Sequence, residues 1–371
     1  MSVSKVFVVG GTGAQGILVI RGLVSDGRYA VKVLTRDATS TRAKHLLSLD
    51  PQVELFQGTL TSEEDLHKGL EGRDGIFLNI DGFTVGEKVE MFWTMRIYEL
   101  AVDLRVKHFV FSNLDYALRK GGYNPKYRAG HYDAKGRMAD WLLGQHNLNK
   151  GKAFYDMTMA IFTTGPYIEM AIAKGTPMAP TVEKDEDGQD VVIWRAPLTE
   201  HGAVPHVYLD DCAHYVRWLF DKPDQDGIDL EVAVDHIHYT DLAAAFESVT
   251  GCKARFVDVS FEEYWAEGPM RSQASAPAGH QTNVNEAGAM LVPDNFTAFW
   301  NIWRDSGSNK GVVQRDYALL DKIHPQRVRS VEQYIRLADE KLKGEGSSLL
   351  EHVKEAKLVL KLQEDGHRRL E

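Results

Sequence analysis

The chain has 371 residues, 43% hydrophobic, with a formal net charge of −10 and two cysteines, Cys212 and Cys252; that length suits a large domain plus a smaller one. The acidic balance, without a basic stripe, argues against direct nucleic-acid binding, and two cysteines are too few for a disulfide framework. With no run of about 18 apolar residues to cross a membrane, and a first strand that leaves no room for a leader peptide, a cytoplasmic protein is expected.

Lys5 to Val9 reads as a buried strand that empties into Gly10-Gly11-Thr12-Gly13-Ala14-Gln15-Gly16, and Ile17 to Leu23 opens a helix. Gly10 makes the tight turn, Gly13 lets backbone N–H groups approach a pyrophosphate, and Gly16 lets the helix pack close on the strand. The placement between strand and helix gives the glycines this meaning, and Thr12, Ala14 and Gln15 belong to the same dinucleotide loop. Val31 to Thr35 is the next strand, ending in Thr35-Arg36-Asp37. NAD sites usually place an acidic residue here for the ribose 2′-OH, whereas Arg36 matches the oxygens of a 2′-phosphate. NADP(H) is therefore the expected cofactor, with Asp37 as the opposing signal.

A third strand runs from Val53 to Gly58, followed by a helix from Thr61 to Leu70 with Thr61 or Ser62 as its cap. Gly75 to Ile80 is a fourth strand carrying Asn79 at its end, and Glu87 to Leu104 is a long helix. His108 to Ser112 is the fifth strand, Tyr132 to Leu143 a helix and Tyr155 to Phe162 the sixth strand. Such alternation predicts an α/β fold, a Rossmann-type doubly wound parallel sheet, with a smaller α+β C-terminal domain. The expected divisions are 1–165 for the NADP-binding domain, with later strands from 204–235, then 166–343 for a substrate or partner domain and 344–371 for a tail.

Regularity falls off over residues 174–206, which hold an acidic patch from Glu183 to Asp190 and a β-like piece at Val191 to Trp194. Helices are expected from Asp210 to Leu219 and from Asp241 to Thr250, the latter capped by Thr240 or Asp241. Residues 268–290, rich in Gly, Ala, Ser and Pro, read as a long loop. The tail reads as a charged amphipathic helix, Ser347 to Gln363, that projects or pairs with a protein partner.

These residues together resemble the NmrA-like family, atypical members of the short-chain dehydrogenase superfamily, and fungal members above all. The resemblance rests on the Gly10–Gly16 loop, Thr35-Arg36, Phe56-Gln57-Gly58, Val110 to Leu114 and His131-Tyr132-Asp133-Ala134-Lys135-Gly136. It continues through Thr164 to Glu169 and Val204 to Asp211, covering roughly residues 4–340. It implies one of two functions. One branch consists of NADP(H)-binding redox sensors that dock a protein partner through the second domain. The other consists of reductases that pass hydride to bulky aromatic metabolites, and some fungal members couple nicotinamide redox to a ring-forming cycloaddition.

By the same resemblance Lys135 lies beside the nicotinamide, where it holds the ribose, stabilises an oxyanion or carries a proton. Tyr132 and His131, three and four residues before it, are candidates for acid–base work, with simple packing as the alternative. Asn79, Thr164 and Tyr167 fall where the family contacts the cofactor, and Thr59 stands where many relatives carry an acidic residue near the adenine. Phe92 or Trp93 lies near a cofactor-facing position of a regulator-like relative, so an apolar substrate or core packing is expected there. Tyr116 and Lys120 have the usual dehydrogenase spacing but follow the fifth strand too closely, a coincidence.

The last third is aromatic. Phe296, Phe299, Trp300 and Trp303 fall at helical spacing, with Tyr264, Trp265, Met270 and Met290 nearby. That pattern fits a core stripe or the wall of a pocket for a bulky apolar small molecule. The histidines at 201, 206, 214, 236 and 238 show no metal-ligand spacing, so no metal is expected.

Overall fold

The computed structural model describes residues 3–279, 285, 289–355 and 359. Seven parallel strands form the central sheet: β1 (Lys5–Val9), β2 (Ala30–Thr35), β3 (Val53–Gln57), β4 (Gly75–Leu78), β5 (His108–Leu114), β6 (Thr158–Thr164) and β7 (Ile228–Glu231). Their order is β7-β6-β5-β4-β1-β2-β3, so the winding reverses between β1 and β4. A crevice opens at such a reversal, outside the carboxyl ends of the strands.

Both faces of the sheet are covered, which is why its strands read as nearly continuous apolar runs. Along β1, Val6 and Val8 pack on one face of the sheet while Phe7 and Val9 pack on the other, following the two-residue period of a strand. The helix α1 (Ala14–Val24) packs on the first face. On the second face lie α2 (Glu87–Asp103) and α3 (Gly130–Asn149), which contribute Ile97, Ala101, Met138 and Leu142. The helix α4 (Leu209–Asp221) returns to the first face beside α1 with Tyr215, Val216 and Leu219. Gly22 makes that crossing close, because a Cβ there would sit 2.5 Å from the Ala213 carbonyl oxygen.

The remaining chain builds a second core around a three-stranded sheet, Lys253–Asp258, Asp190–Ala196 and Thr181–Lys184. Helices Tyr239–Thr250, α5 (Val292–Arg304) and Val331–Gly344 pack there, with Trp194, Trp300 and Trp303 almost fully buried. The stretch 204–235 divides its contributions. Val204–His206 pairs with Asp235–Ile237 in a separate small sheet, while Ile228–Glu231 joins the central one.

Several boundaries differ from expectation. Helix 239–250 is entered from His238 rather than capped by Thr240 or Asp241. The sixth strand lies at Thr158–Thr164, because Tyr155 and Met157 pack before it begins. The tail helix is short, Leu349–Lys354, with Ser348 and Glu351 forming a capping box; its expected continuation falls largely outside the described residues. Instead of projecting, it buries Leu349 and Val353 in the second core, and Lys354 pairs with Asp190 at 2.5 Å. The acidic patch is likewise paired within the chain: Glu183 with Arg195, Asp185 with Lys253, and Asp190 also with Lys184.

Candidate active site

The crevice at the strand ends leads into a cavity of ≈ 350 Å³ that continues between the two cores. On one side lie Gly10, Thr12, Gly13, Ala14 and Gln15, with Thr35 and Arg36 at the end of β2. Gly10 has φ +84°, and a Cβ there would strike the Asn79 carbonyl oxygen at 2.2 Å, so only glycine fits this turn. Gly16 does not line the cavity. It seats α1 against the loop, where a Cβ would meet the Gly10 carbonyl oxygen at 2.2 Å.

The N-terminus of α1 faces this region without a side-chain cap, which suits an anionic ligand. Gln15 is 2% exposed, and its Oε1 accepts from Asn79 Nδ2 at 2.9 Å and Ser112 Oγ at 2.7 Å. Its Nε2 is buried and has no hydrogen-bond partner among the described residues, a donor left over for a bound group. These features fit a dinucleotide phosphate.

Arg36 is exposed and lines the cavity, whereas Asp37 does not. The Asp37 carboxylate accepts from the backbone N–H and hydroxyl of Thr39, at 2.8 and 2.6 Å, in a local turn. Arg42 reaches the same loop, donating to the Thr12 carbonyl at 3.3 Å. Thr59 is not among the cavity residues, although Gly58 and Leu60 are. Its backbone N–H bonds Asp65 at 3.0 Å and its hydroxyl meets Thr61 at 2.9 Å, so the turn into the next helix takes up both groups.

Farther in, α3 presents His131, Tyr132 and Lys135 to the cavity. Lys135 is 8% exposed and surrounded by acceptors: Glu90 Oε1 at 2.8 Å, the Ile80 carbonyl at 2.8 Å, Asn79 Oδ1 at 3.4 Å and the Ser112 carbonyl at 3.5 Å. An ammonium has three protons, so these contacts fill its donor capacity. Glu90, on α2, is absent from the sequence reading. Its spacing gives one signal: it stands in the stripe Glu90, Thr94, Ile97, Tyr98 and Ala101 that α2 buries.

His131 Nδ1 lies 3.0 Å from Asn295 Oδ1, and burial pushes the imidazole down to about 4, aided by the Lys135 charge. It is therefore neutral near pH 7. Burial drives the Tyr132 phenol well above its ordinary range, so it stays protonated. Thr164 and Tyr167 line the cavity; the Thr164 hydroxyl donates to the Asn113 carbonyl at 3.4 Å.

The aromatic residues of α5 divide between two roles. Phe296 and Phe299 line the cavity, and Trp300 and Trp303 stand behind them in the core. Phe83 stacks nearly parallel to Phe296, ring centres 6.1 Å apart, and lies 4.6 Å from the His131 ring. With Met170, Met270 and Val292 these rings form an apolar chamber beyond Lys135. Phe92 is 51% exposed and points away, packing edge-on against Trp93, and neither lines the cavity. Lys120 pairs with Asp115 and Glu231, and neither it nor Tyr116 lines the cavity.

The doubly wound sheet, with a glycine loop at its winding reversal, defines a Rossmann-like α/β protein with a helical C-terminal region. More narrowly, the NmrA-like family model matches residues 2–276, and the chain belongs to that family. Among its relatives is the NmrA-like family domain-containing oxidoreductase hkm9 of Aspergillus hancockii, 25% identical over 257 residues, 67% of this chain and 73% of that one. Among solved structures, NmrA, a negative transcriptional regulator in complex with NADP, superposes with a TM-score of 0.67 at 16% identity, covering 94% of this chain and 100% of that one. The Citrobacter sp. triphenylmethane reductase complexed with NADP(H) gives 0.62 at 17% identity, covering 89% and 98%. At these identities the two structures are similar in fold.

Proposed function

We propose that the protein is an NADP(H)-dependent oxidoreductase whose substrate is a bulky, apolar, polycyclic small molecule. The observation that carries this reading is continuity: the glycine loop, Arg36 and the aromatic chamber line a single cavity. On this reading residues 1–165, with the later strand at 228–231, hold the dinucleotide, and 166–343 supply the chamber. The names of hkm9 and of the triphenylmethane reductase point the same way.

The bound cofactor supplies hydride chemistry. Loop backbone N–H groups, the α1 terminus and Gln15 would hold its phosphates and Arg36 its 2′-phosphate, with Asn79 holding Gln15 in place beside them. Phe83, Phe296 and Phe299 orient the flat substrate and exclude water. His131, neutral and at the chamber wall, handles protons by hydrogen bonding, with the protonated Tyr132 hydroxyl as an additional donor. Lys135 fixes the strand ends and supplies a positive charge close to the reacting groups.

Mixing the protein with NADPH and a panel of polycyclic imines, enones and ketones should give substrate-dependent loss of the reduced-nicotinamide absorbance. Product analysis would show whether a ring closes as well. The similarity to a transcriptional regulator motivates the competing reading, a catalytically silent NADP(H) sensor. Absence of turnover across the panel, with a captured protein that shifts NADP(H) affinity reciprocally, would establish the sensor instead.

A further inference from the structure

Glu90 is 0% exposed, and nothing in the reading above assigns it a task. It sits on α2 with its carboxylate 2.8 Å from Lys135 Nζ on α3. Lys135 in turn bonds the Ile80 carbonyl beyond β4 and reaches Asn79, which donates to Gln15 of the glycine loop. Gln15 also accepts from Ser112 on β5. A continuous chain of polar contacts thus runs from a carboxylate behind the site to the loop that receives phosphate. Among the described residues the carboxylate has no aligned hydrogen bond and is held by its ion pair with Lys135, and Gly82 makes room for it, since a Cβ there would lie 2.4 Å from Glu90 Oε2.

We propose that Glu90 is a positioning residue that holds Lys135 across the ends of β4 and β5 and so sets the geometry of the dinucleotide loop from behind. The proposal rests on the dinucleotide reading given above and deepens it. Unpaired, either charge would be buried without compensation, so each residue fixes the rotamer of the other. Opposite Glu90 stand Lys135 from α3 and Asp81 from the turn after β4. Glu87 lies one turn earlier on α2 and is neutralised by Arg128 and Arg137. Burial raises the Glu90 carboxyl above its usual range against the pull of Lys135, so acidification releases Lys135 before ordinary carboxylates titrate.

The test compares wild type, Glu90→Gln, Lys135→Met and the double variant, with NADPH affinity by calorimetry from pH 5 to 8 and thermal melting without cofactor. Glu90→Gln should weaken NADPH by about 3- to 30-fold at pH 8 and remove the part of the acid weakening that wild type shows beyond it. Adding Glu90→Gln to Lys135→Met should cost no further affinity and should raise the melting temperature, because the stranded carboxylate is gone. Glu90→Gln with wild-type affinity and pH profile would overturn the proposal, as would additive losses in the double variant. If wild type binds no dinucleotide, the functional reading fails; a double variant that then melts no higher than Lys135→Met overturns the pairing too.

Discussion

Asp115 and Arg315, distant in sequence, form a two-pronged ion pair at 2.7 and 3.0 Å in which both side chains are 0% exposed. Asp115 follows β5 directly, and Arg315 also bonds the Val232 carbonyl just past β7. The pair therefore ties the chain after α5 to the sheet edge beside the cavity. Arg315 and Lys120 hold the Asp115 carboxyl well below the usual carboxylate range against the opposing effect of burial.

Removing Arg315 leaves the buried Asp115 carboxylate with Lys120 as its remaining charged partner. Arg315→Met should destabilise the fold by about 3–5 kcal/mol in urea denaturation. Asp115→Asn added to it should recover part of that loss. Because the folded Asp115 titrates below its unfolded value, its contribution is present above the ordinary aspartate range and disappears as pH falls through the depressed value. An Arg315→Met protein as stable as wild type at neutral pH would show the pair to be dispensable.

Local signals were the most legible. A strand, three spaced glycines and a helix are contiguous, so the motif is legible locally; Gly16 is required by the Gly10 carbonyl within the loop, whereas the Asn79 carbonyl that excludes a Cβ at Gly10 arrives from the end of β4. The aromatic spacing of α5 leaves a core stripe and a pocket wall both open; which flank faces a cavity depends on Phe83 and His131, which arrive from other elements. Glu90 was missed because a glutamate on a helix usually faces water, and only Lys135 on a neighbouring helix reverses that expectation. The tail helix reads as projecting or pairing with a partner protein because its two buried residues, Leu349 and Val353, sit among charges.

Cofactor choice turns on Arg36. If its guanidinium grips the 2′-phosphate, Arg36→Ala should weaken NADPH by roughly 10- to 150-fold, about 1.5–3 kcal/mol for a lost charge-assisted contact, and leave NADH nearly unchanged. Arg42 stands close to the same loop and softens the loss. Titrating both dinucleotides into both proteins decides the matter. Equal losses for NADH and NADPH would assign Arg36 to the adenine side or to the fold.

The chamber predicts a separation of substrate from cofactor effects. Phe296→Ala removes the ring that stacks on Phe83 and touches His131. Binding of a planar probe such as 2-naphthol should weaken by about 3- to 30-fold, while NADPH affinity stays within twofold. Trp300→Phe, behind the wall in the core, should alter stability and leave probe binding alone. If Phe296→Ala weakens NADPH and probe alike, the chamber is part of the cofactor site.

Four histidines answer to acid together. Burial pushes His108, His131, His206 and His236 each down to about 4. A histidine depressed in the folded state is protonated first in the unfolded chain, so stability falls as pH drops from the ordinary histidine range toward 4. The slope is about 1.4 kcal/mol per pH unit for each proton taken up by the unfolded chain alone. His206 is the cleanest probe, 0% exposed and 3.2 Å from the Pro166 carbonyl, a contact that glutamine can replace. Urea midpoints measured from pH 7 to 4.5 should decline less steeply for His206→Gln than for wild type, by one proton's share of the slope. Parallel declines would mean that His206 takes up its proton in the folded state, which burial of the ring resists against the opposing pull of its bond to the Pro166 carbonyl.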